Sequence, residues 1–120
     1  MLRESTVSRR RELYREAVTV IERRYSEEDL SLHTVARTIA TSRRQLQRAF
    51  AETGGTSFRR ELQRVRMLRA AELLREGSLS VQAVAGAVGY RQAAQFAKAF
   101  RRHYGAPPSA FRDHGERLAA

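Results

Sequence analysis

The chain has 120 residues, with 23 lysine and arginine residues against 13 aspartate and glutamate residues, and it contains no cysteine. The lack of cysteine excludes disulfides, thiolate metal sites and cysteine nucleophiles, and no apolar run approaches the roughly 18 residues that a membrane-spanning helix needs. A net charge of +10 favours a polyanionic partner, and we expect a soluble, cytoplasmic protein that forms one compact domain or two very small ones.

The first predicted element is an amphipathic helix from about residue 8 to residue 24. Its apolar residues keep helical spacing: Leu13, Ala17, Val20, Ile21 and Tyr25. The acidic run from Glu27 to Asp29 ends this helix, and we interpret it as a solvated loop whose charge favours the N-terminus of the next helix. Ser31 is the expected N-cap of a short helix from Leu32 to Ile39. A further helix is predicted from about Ser42 to Thr53, ending at the glycine pair that follows.

A longer helix is predicted from about Ser57 to Arg75, closed by Gly77. Apolar residues recur along it at intervals of four and three and describe one stripe: Phe58, Leu62, Val65, Leu68, Ala71 and Leu74. At 1.5 Å per residue this helix is roughly 28 Å long. We expect it to be a rigid linking helix between the segments on either side.

The region that begins at Ser80 repeats the region that begins at Ser31. Three positions have counterparts 49 residues later: Ser31, Ala36 and Ile39 correspond to Ser80, Ala85 and Val88. Three further positions have counterparts 50 residues later: Leu46, Phe50 and Gly55 correspond to Phe96, Phe100 and Gly105. The change of offset indicates one extra residue in the second turn. The second copy is predicted to form helices from Val81 to Val88 and from Arg91 to Tyr104. Pro107 and Pro108 are expected to begin a last short helix around Phe111. Residues 116–120 are predicted to be frayed.

These elements predict an all-α fold with two helix-turn-helix subdomains joined by a long linking helix. Residues 1–56 hold the N-terminal helix and the first helix-turn-helix, residues 57–77 the linking helix, and residues 78–120 the second helix-turn-helix and the tail. A tandem helix-turn-helix with basic second helices is typical of proteins that lay helices in DNA major grooves. The linking helix is close in length to the 34 Å between successive major-groove segments on one face of B-DNA.

Three side chains are expected to share the outward face of the second helix in the first copy, Arg44, Gln47 and Arg48. Arginine can donate two hydrogen bonds to guanine, and glutamine can form two with adenine, so this set is predicted to read bases in double-stranded DNA. Arg43 and Gln45 flank it, nearer the phosphates.

The corresponding helix of the second copy is a poorer reader of bases. Ala94 can meet only a thymine methyl group, and Lys98 is a flexible point charge. No acidic residue occurs between Glu76 and Asp113, and the arginines of this stretch are predicted to contact phosphates: Arg91, Arg101, Arg102 and Arg112. We expect the first copy to supply more sequence specificity and the second more affinity.

Catalytic, metal and cofactor sites are not expected. His33, His103 and His114 lack the spacing of metal ligands, so surface or capping roles are predicted for them. No glycine-rich phosphate loop follows a strand, and no serine occupies a nucleophile elbow, which indicates that the chain is not an enzyme.

The chain resembles the DNA-binding domain of the AraC/XylS family of bacterial transcription regulators over about residues 10–112. The strongest match is the run from Val84 to Tyr90, followed by Phe96, Phe100-Arg101-Arg102, Gly105, Pro108-Ser109 and Phe111-Arg112, with further support from the run Leu46 to Phe50 and from Arg66 and Ala70. The resemblance implies a fold of seven helices. It places base-reading residues at Arg44, Gln47 and Arg48 in the first unit and around Gln92, Gln95 and Lys98 in the second.

The resemblance to stand-alone members of the family implies an activator that binds double-stranded DNA as a monomer and contacts RNA polymerase. Three alternatives stay open: the DNA-binding domain of a larger ligand-sensing regulator, a non-specific architectural DNA binder, and an adaptor that binds a protein. The chain departs from the family pattern at Ala40, where many members have glycine, and at Ala93 and Ala94, where small polar residues are common. We therefore expect a tighter or differently bent first turn and poorer base readout by the second helix.

Overall fold

The computed structural model describes residues 2–112, with side chains described from Ser5 onward. His114 and the end predicted to fray at 116–120 lie outside the described residues. The described chain is all-helical and contains seven helices, which we number in order: α1 Leu2–Arg24, α2 Leu32–Thr38, α3 Arg43–Ala49, α4 Phe58–Glu76, α5 Val81–Ala87, α6 Ala93–Tyr104 and α7 at 108–112. This agrees with the predicted fold class. None of the described helices is both long and apolar enough to cross a membrane.

The described residues form two compact units. Unit 1 contains the chain up to Tyr25 together with Asp29–Gln63, and unit 2 contains Ser26–Glu28 together with the chain from Arg64 onward. Helix α4 therefore begins in unit 1 and ends in unit 2. Each unit holds one copy of the repeat, α2 and α3 in unit 1 and α5 and α6 in unit 2.

Serine caps begin the first helix of each repeat, as predicted. Ser31 Oγ accepts a hydrogen bond from the Thr34 N–H at 3.2 Å, and Thr34 Oγ1 accepts one from the Ser31 N–H at 2.9 Å. This reciprocal capping box satisfies two backbone donors that the helix cannot pair internally. Ser80 Oγ accepts the Ala83 N–H at 3.1 Å in the second repeat.

The two turns share one hydrogen-bonding pattern. The Ala40 and Thr41 N–H groups donate to the carbonyls of Arg37 and Ala36, at 3.2 and 2.9 Å. At an offset of 49, the Gly89 and Tyr90 N–H groups donate to the carbonyls of Gly86 and Ala85 at the same two distances. The first connection spans residues 39–42 and the second spans residues 88–92, which confirms the extra residue in the second turn.

The expectation of a differently bent first turn is wrong. Ala40 itself adopts a left-handed conformation with φ 57°, and Gly89 at the equivalent place has φ 93°. The turn thus keeps the glycine conformation with an alanine in it. A left-handed residue with a Cβ atom brings that atom too close to the following carbonyl oxygen, at a cost of about 1–2 kcal/mol.

Two helices differ in extent from their predictions. Helix α1 begins at Leu2, before the predicted start at residue 8. The prediction missed these first turns because they are mostly polar and show no apolar periodicity. Helix α3 is regular only to Ala49 and continues as a single π-helical turn over Phe50–Gly54, which we call the π turn. Position 54 in the π turn requires glycine, because a Cβ atom there would be 2.5 Å from Tyr14 Cε1.

The single apolar stripe predicted along α4 is also wrong. Leu68 is 48% exposed, whereas Met67 and Ala70 are fully buried. Phe58 and Leu62 are buried in unit 1, and the buried residues of the later turns lie in unit 2: Met67, Ala70, Ala71 and Leu74. Because each half of the helix packs in its own unit, no one stripe of constant spacing describes its buried residues.

Replacing Ala40 with glycine should stabilise the protein by about 0.5–1 kcal/mol. The change removes the left-handed strain of about 1–2 kcal/mol and adds the backbone entropy that glycine loses on folding, about 0.5–1 kcal/mol. Urea denaturation of Ala40→Gly against the parent measures the difference. The converse variant, Gly89→Ala, should be destabilised, and an Ala40→Gly variant less stable than the parent would contradict the strain.

Candidate nucleic-acid interface

Helix α3 is held in unit 1 by three fully buried residues, Leu46, Ala49 and Phe50. The Phe50 ring makes edge-to-face contacts with Tyr14, at a centroid distance of 5.3 Å, and with Phe58, at 5.9 Å. A seven-residue helix is marginal on its own in water, so this packing supplies most of its stability. The burial of one side of α3 fixes which of its side chains face outward.

The predicted base-reading residues of the first unit lie together on the opposite side of α3. Arg44, Gln47 and Arg48 are all exposed, at the i, i+3 and i+4 positions that share one helix face. Arg43 and Gln45 beside them are also exposed. We call these five residues the α3 surface. Ser42 begins the helix, since its Oγ accepts the Gln45 N–H at 3.1 Å.

The α3 surface carries three positive charges and no negative one. Within the described part of the chain, the guanidinium groups of Arg43, Arg44 and Arg48 form no ion pair with a carboxylate. The nearest acidic residue in sequence, Glu52, forms an ion pair with Arg10 instead. The hydrogen-bond donors of the α3 surface therefore remain available to an external anion or to base edges.

Helix α6 is held in unit 2 by an aromatic cluster. Phe100 is fully buried, with ring centroids 5.7 Å from Phe96, 4.7 Å from Tyr104 and 4.9 Å from Phe111. The Tyr104 hydroxyl donates a hydrogen bond to the Met67 carbonyl at 3.1 Å. Burial raises the pKa of Tyr104, partly opposed by the positive charge of Arg75 and reinforced by the negative charge of Glu72, which moves ionisation of the phenol still further above neutral pH.

The candidate DNA-contacting residues at the start of α6 and along it are exposed. Six residues around the start and along the outer side of the helix are exposed, and we call them the α6 surface: Gln92, Ala94, Gln95, Lys98, Arg101 and Arg102. Gln92 is the N-cap, but its side chain makes no capping hydrogen bond. The helix itself starts at Ala93, two residues later than predicted. Only two amides and one lysine serve as candidate base readers here, since Ala94 has no polar atom.

The remaining two phosphate candidates have different surroundings. Arg91 Nε donates to Glu28 Oε2 at 2.9 Å, in a pair whose side chains are 74% and 46% exposed. An exposed pair of this kind contributes little and exchanges readily with another anion. Arg112 is half-buried, and its Nε atom is fully enclosed.

A half-buried arginine, Arg66, lies outside both helix surfaces, and the charge pattern of the sequence did not identify it. Arg66 Nη2 donates to the Glu27 carbonyl at 2.7 Å, and its guanidinium group lies 5.7 Å from the centroid of the Tyr90 ring. Burial lowers the pKa of Arg66 from its ordinary value, and the interaction with Tyr90 acts in the opposite direction. Its match to the family pattern was the only sequence signal for it. The acidic loop predicted to be solvated thus contributes two acceptors within unit 2, the Glu27 carbonyl and the Glu28 carboxylate.

The histidines of the described region show no clustering. His33 and His103 are exposed, and the His103 and Tyr104 rings pack edge to face with their centroids 4.7 Å apart. Over residues 2–112, no group of three histidine, cysteine, aspartate or glutamate residues is placed to hold a metal ion.

The sequence matches a family model described as a helix-turn-helix domain over residues 35–114. The HTH-type transcriptional regulator GbdR of Pseudomonas aeruginosa is 35% identical over 82 residues, which cover 68% of this chain and 22% of GbdR. The chain therefore spans about a fifth of the length of that relative. The probable transcription factor PqrA of Proteus vulgaris is 30% identical over 88 residues, covering 73% of this chain and 72% of PqrA.

A solved structure with a similar fold is the DNA-binding domain of AdpA, a global transcriptional factor, in complex with a target DNA. It superimposes with a TM-score of 0.78 at 31% sequence identity, covering 84% of this chain and 90% of that domain. At this identity the likeness extends to sequence as well as fold.

Proposed function

The chain belongs to the AraC/XylS-type family of helix-turn-helix transcription regulators, and from this we propose that it binds a specific double-stranded DNA sequence and activates transcription there. In this proposal α3 and α6 lie in successive major grooves. Arg44, Gln47, Arg48, Gln92, Gln95 and Lys98 contact bases. Arg43, Arg91, Arg101, Arg102 and Arg112 contact phosphates.

The α3 surface is the observation that carries the proposal. It combines two exposed arginines and a glutamine at i, i+3 and i+4 spacing with two flanking polar residues, on a helix fixed from behind by buried apolar side chains. Arginine and glutamine are the side chains that form paired hydrogen bonds with guanine and adenine. The relative AdpA was solved with target DNA, which supports the same class of ligand here.

Two relatives differ in how much of their length this chain matches, 22% for GbdR and 72% for PqrA. The DNA-binding proposal applies to a stand-alone regulator and to the DNA-binding domain of a larger one, since the surfaces of α3 and α6 belong to the chain itself. Contact with RNA polymerase is proposed from the family resemblance alone.

A non-specific architectural binder is the competing function, because a net charge of +10 attracts any duplex. Selection of bound sites from random duplex, followed by competition of the selected site against bulk genomic DNA at near-physiological salt, separates the two. A specific regulator should prefer its site by about 10³-fold or more. A ratio near one would establish the architectural role.

The Arg48→Ala variant should weaken binding to the selected site by about 1–3 kcal/mol and relax the preference at one base pair. The reason is the loss of a paired hydrogen bond to a base edge. Fluorescence anisotropy with the selected site and its single-base variants measures both effects. Arg23→Ala, an exposed arginine of unit 1 outside the α3 surface, is the control. Equal weakening on selected and random duplex would assign Arg48 to phosphate instead.

The logarithm of affinity should fall linearly with the logarithm of salt concentration, with about five to eight phosphates neutralised at a slope of about −0.9 each. Replacing Arg101 and Arg102 with glutamine should flatten the slope by roughly two units and leave the preferred sequence unchanged. A matched control replaces Arg59 and Arg60, two adjacent exposed arginines of α4. An unchanged slope in the Arg101/Arg102 variant would refute the phosphate assignment.

The bound site should be asymmetric, with two unlike elements about 10 bp apart, occupied by one molecule. The two recognition helices differ in their side chains and are joined in one chain, whereas a palindrome reflects a two-fold axis between identical subunits. Inserting about 5 bp between the elements should abolish joint contact, because it rotates one element to the other side of the duplex. Native mass measurement and footprinting test this prediction. Two copies on a palindromic site, or indifference to the insertion, would refute it.

A further inference from the structure

From Ser5 to Glu12, α1 packs little of the core. The side chains of residues 5–9 are all exposed, and Leu13 is the first buried residue from Ser5 onward. This part of α1 is nevertheless tied to the π turn that follows α3, because the Arg10 guanidinium forms an ion pair with Glu52 there. Core packing therefore does not explain this part of α1, although a salt bridge fixes its position in unit 1.

An open groove of about 440 Å³ lies between the start of α1 and the turn that precedes α3. Its lining includes polar side chains from both sides: Ser5, Thr6, Arg9, Arg10, Thr41 and Gln45. Gln45 also belongs to the α3 surface, so the groove continues that surface toward the N-terminus of the chain. Ala40, in the turn that precedes α3, also lies in its wall.

The chemistry of the groove fits a phosphodiester. Its described lining offers guanidinium, hydroxyl and amide donors and contains no carboxylate. Arg9 forms an ion pair with Glu12 at 3.4 Å, but both side chains are about half exposed, at 50% and 55%. Such an exposed i, i+3 pair contributes little and can exchange for a phosphate. Arg10 is engaged by Glu52, which leaves Arg9 as the cation that can reach a ligand.

We infer that this groove, which we call the α1 groove, holds the DNA sugar-phosphate backbone beside the element read by α3, with Arg9 contacting one phosphate. The inference rests on the proposed function and extends the DNA contact beyond both recognition helices. Positive charge and continuity with the α3 surface favour DNA over a protein ligand in this groove. The footprint is therefore longer at this end than the two helix-turn-helix units alone would give.

The salt dependence of Arg9→Gln tests the contact, with Arg15→Gln as the matched control. Arg15 is an exposed arginine of the same helix that does not line the α1 groove, so both variants lose one charge from one element. On the selected site, Arg9→Gln should flatten the slope by about 0.9 and weaken binding roughly eightfold at 0.1 M salt, while Arg15→Gln leaves both close to the parent. Circular dichroism confirms that both variants fold. Equal slopes for the two variants would overturn the inference.

Neutral methylphosphonate linkages, placed one at a time along the flank of the α3 element, locate the phosphate. At one position the substitution should weaken the parent protein but have no further effect on Arg9→Gln, because the two changes remove the same contact. Additive effects at every position would overturn the inference while leaving the proposed function intact. So would an Arg9→Gln variant that binds DNA normally but loses activation of a reporter, since it would assign the groove to a protein partner. Failure of the parent protein to prefer any duplex would overturn both.

Discussion

The burial of one phenylalanine in each repeat is the interaction on which the rest of the structure depends. Phe50 follows α3 directly and Phe100 lies in α6, and both are fully buried. Burying a phenylalanine side chain contributes about 1.5–3 kcal/mol, a large amount for a short helix that is marginal alone. Because each helix is held from one side by this ring and its apolar neighbours, the other side faces outward with its amides and guanidinium groups. The chemistry available to DNA follows from this packing.

The two phenylalanines have different surroundings, although they occupy equivalent positions in the repeat. Phe50 contacts Tyr14 from α1 and Phe58 from α4, and the ring of Tyr14 requires glycine at position 54. Phe100 instead contacts rings of its own helix and of the residues after it, those of Phe96, Tyr104 and Phe111. The rings around Phe50 thus come from other helices, whereas those around Phe100 come from α6 itself and from the residues that follow it. The same arrangement of helix, turn and helix is supported by different neighbours.

The positive charges of the chain fall into distinct groups once burial and partners are considered. Arg66 is partly buried against Tyr90 and the Glu27 carbonyl, so it stabilises unit 2. Arg10 is engaged by Glu52, and Arg91 by Glu28. The arginines of the α3 surface form no such pair in the described region. The total of 23 lysine and arginine residues therefore overstates the number of cations available to DNA, and affinity for a polyanion depends on which of them lack an internal partner.

The sequence by itself determined the repeat, the serine caps at Ser31 and Ser80, the buried and exposed sides of α3 and α6, and the family. These features depend on residues within one or two helical turns, whose spacing and capping chemistry are visible in the chain. Only the tertiary structure decided that α1 begins at Leu2, that Ala40 adopts the left-handed conformation, and that α4 buries Met67 and Ala70 and exposes Leu68. It also decided that Arg9 faces a groove beside the first turn. The burial pattern of α4 and the groove beside Arg9 depend on side chains that meet across long separations in sequence. The polar start of α1 and the turn at Ala40 have no apolar periodicity, so helical spacing carries no information about any of these outcomes.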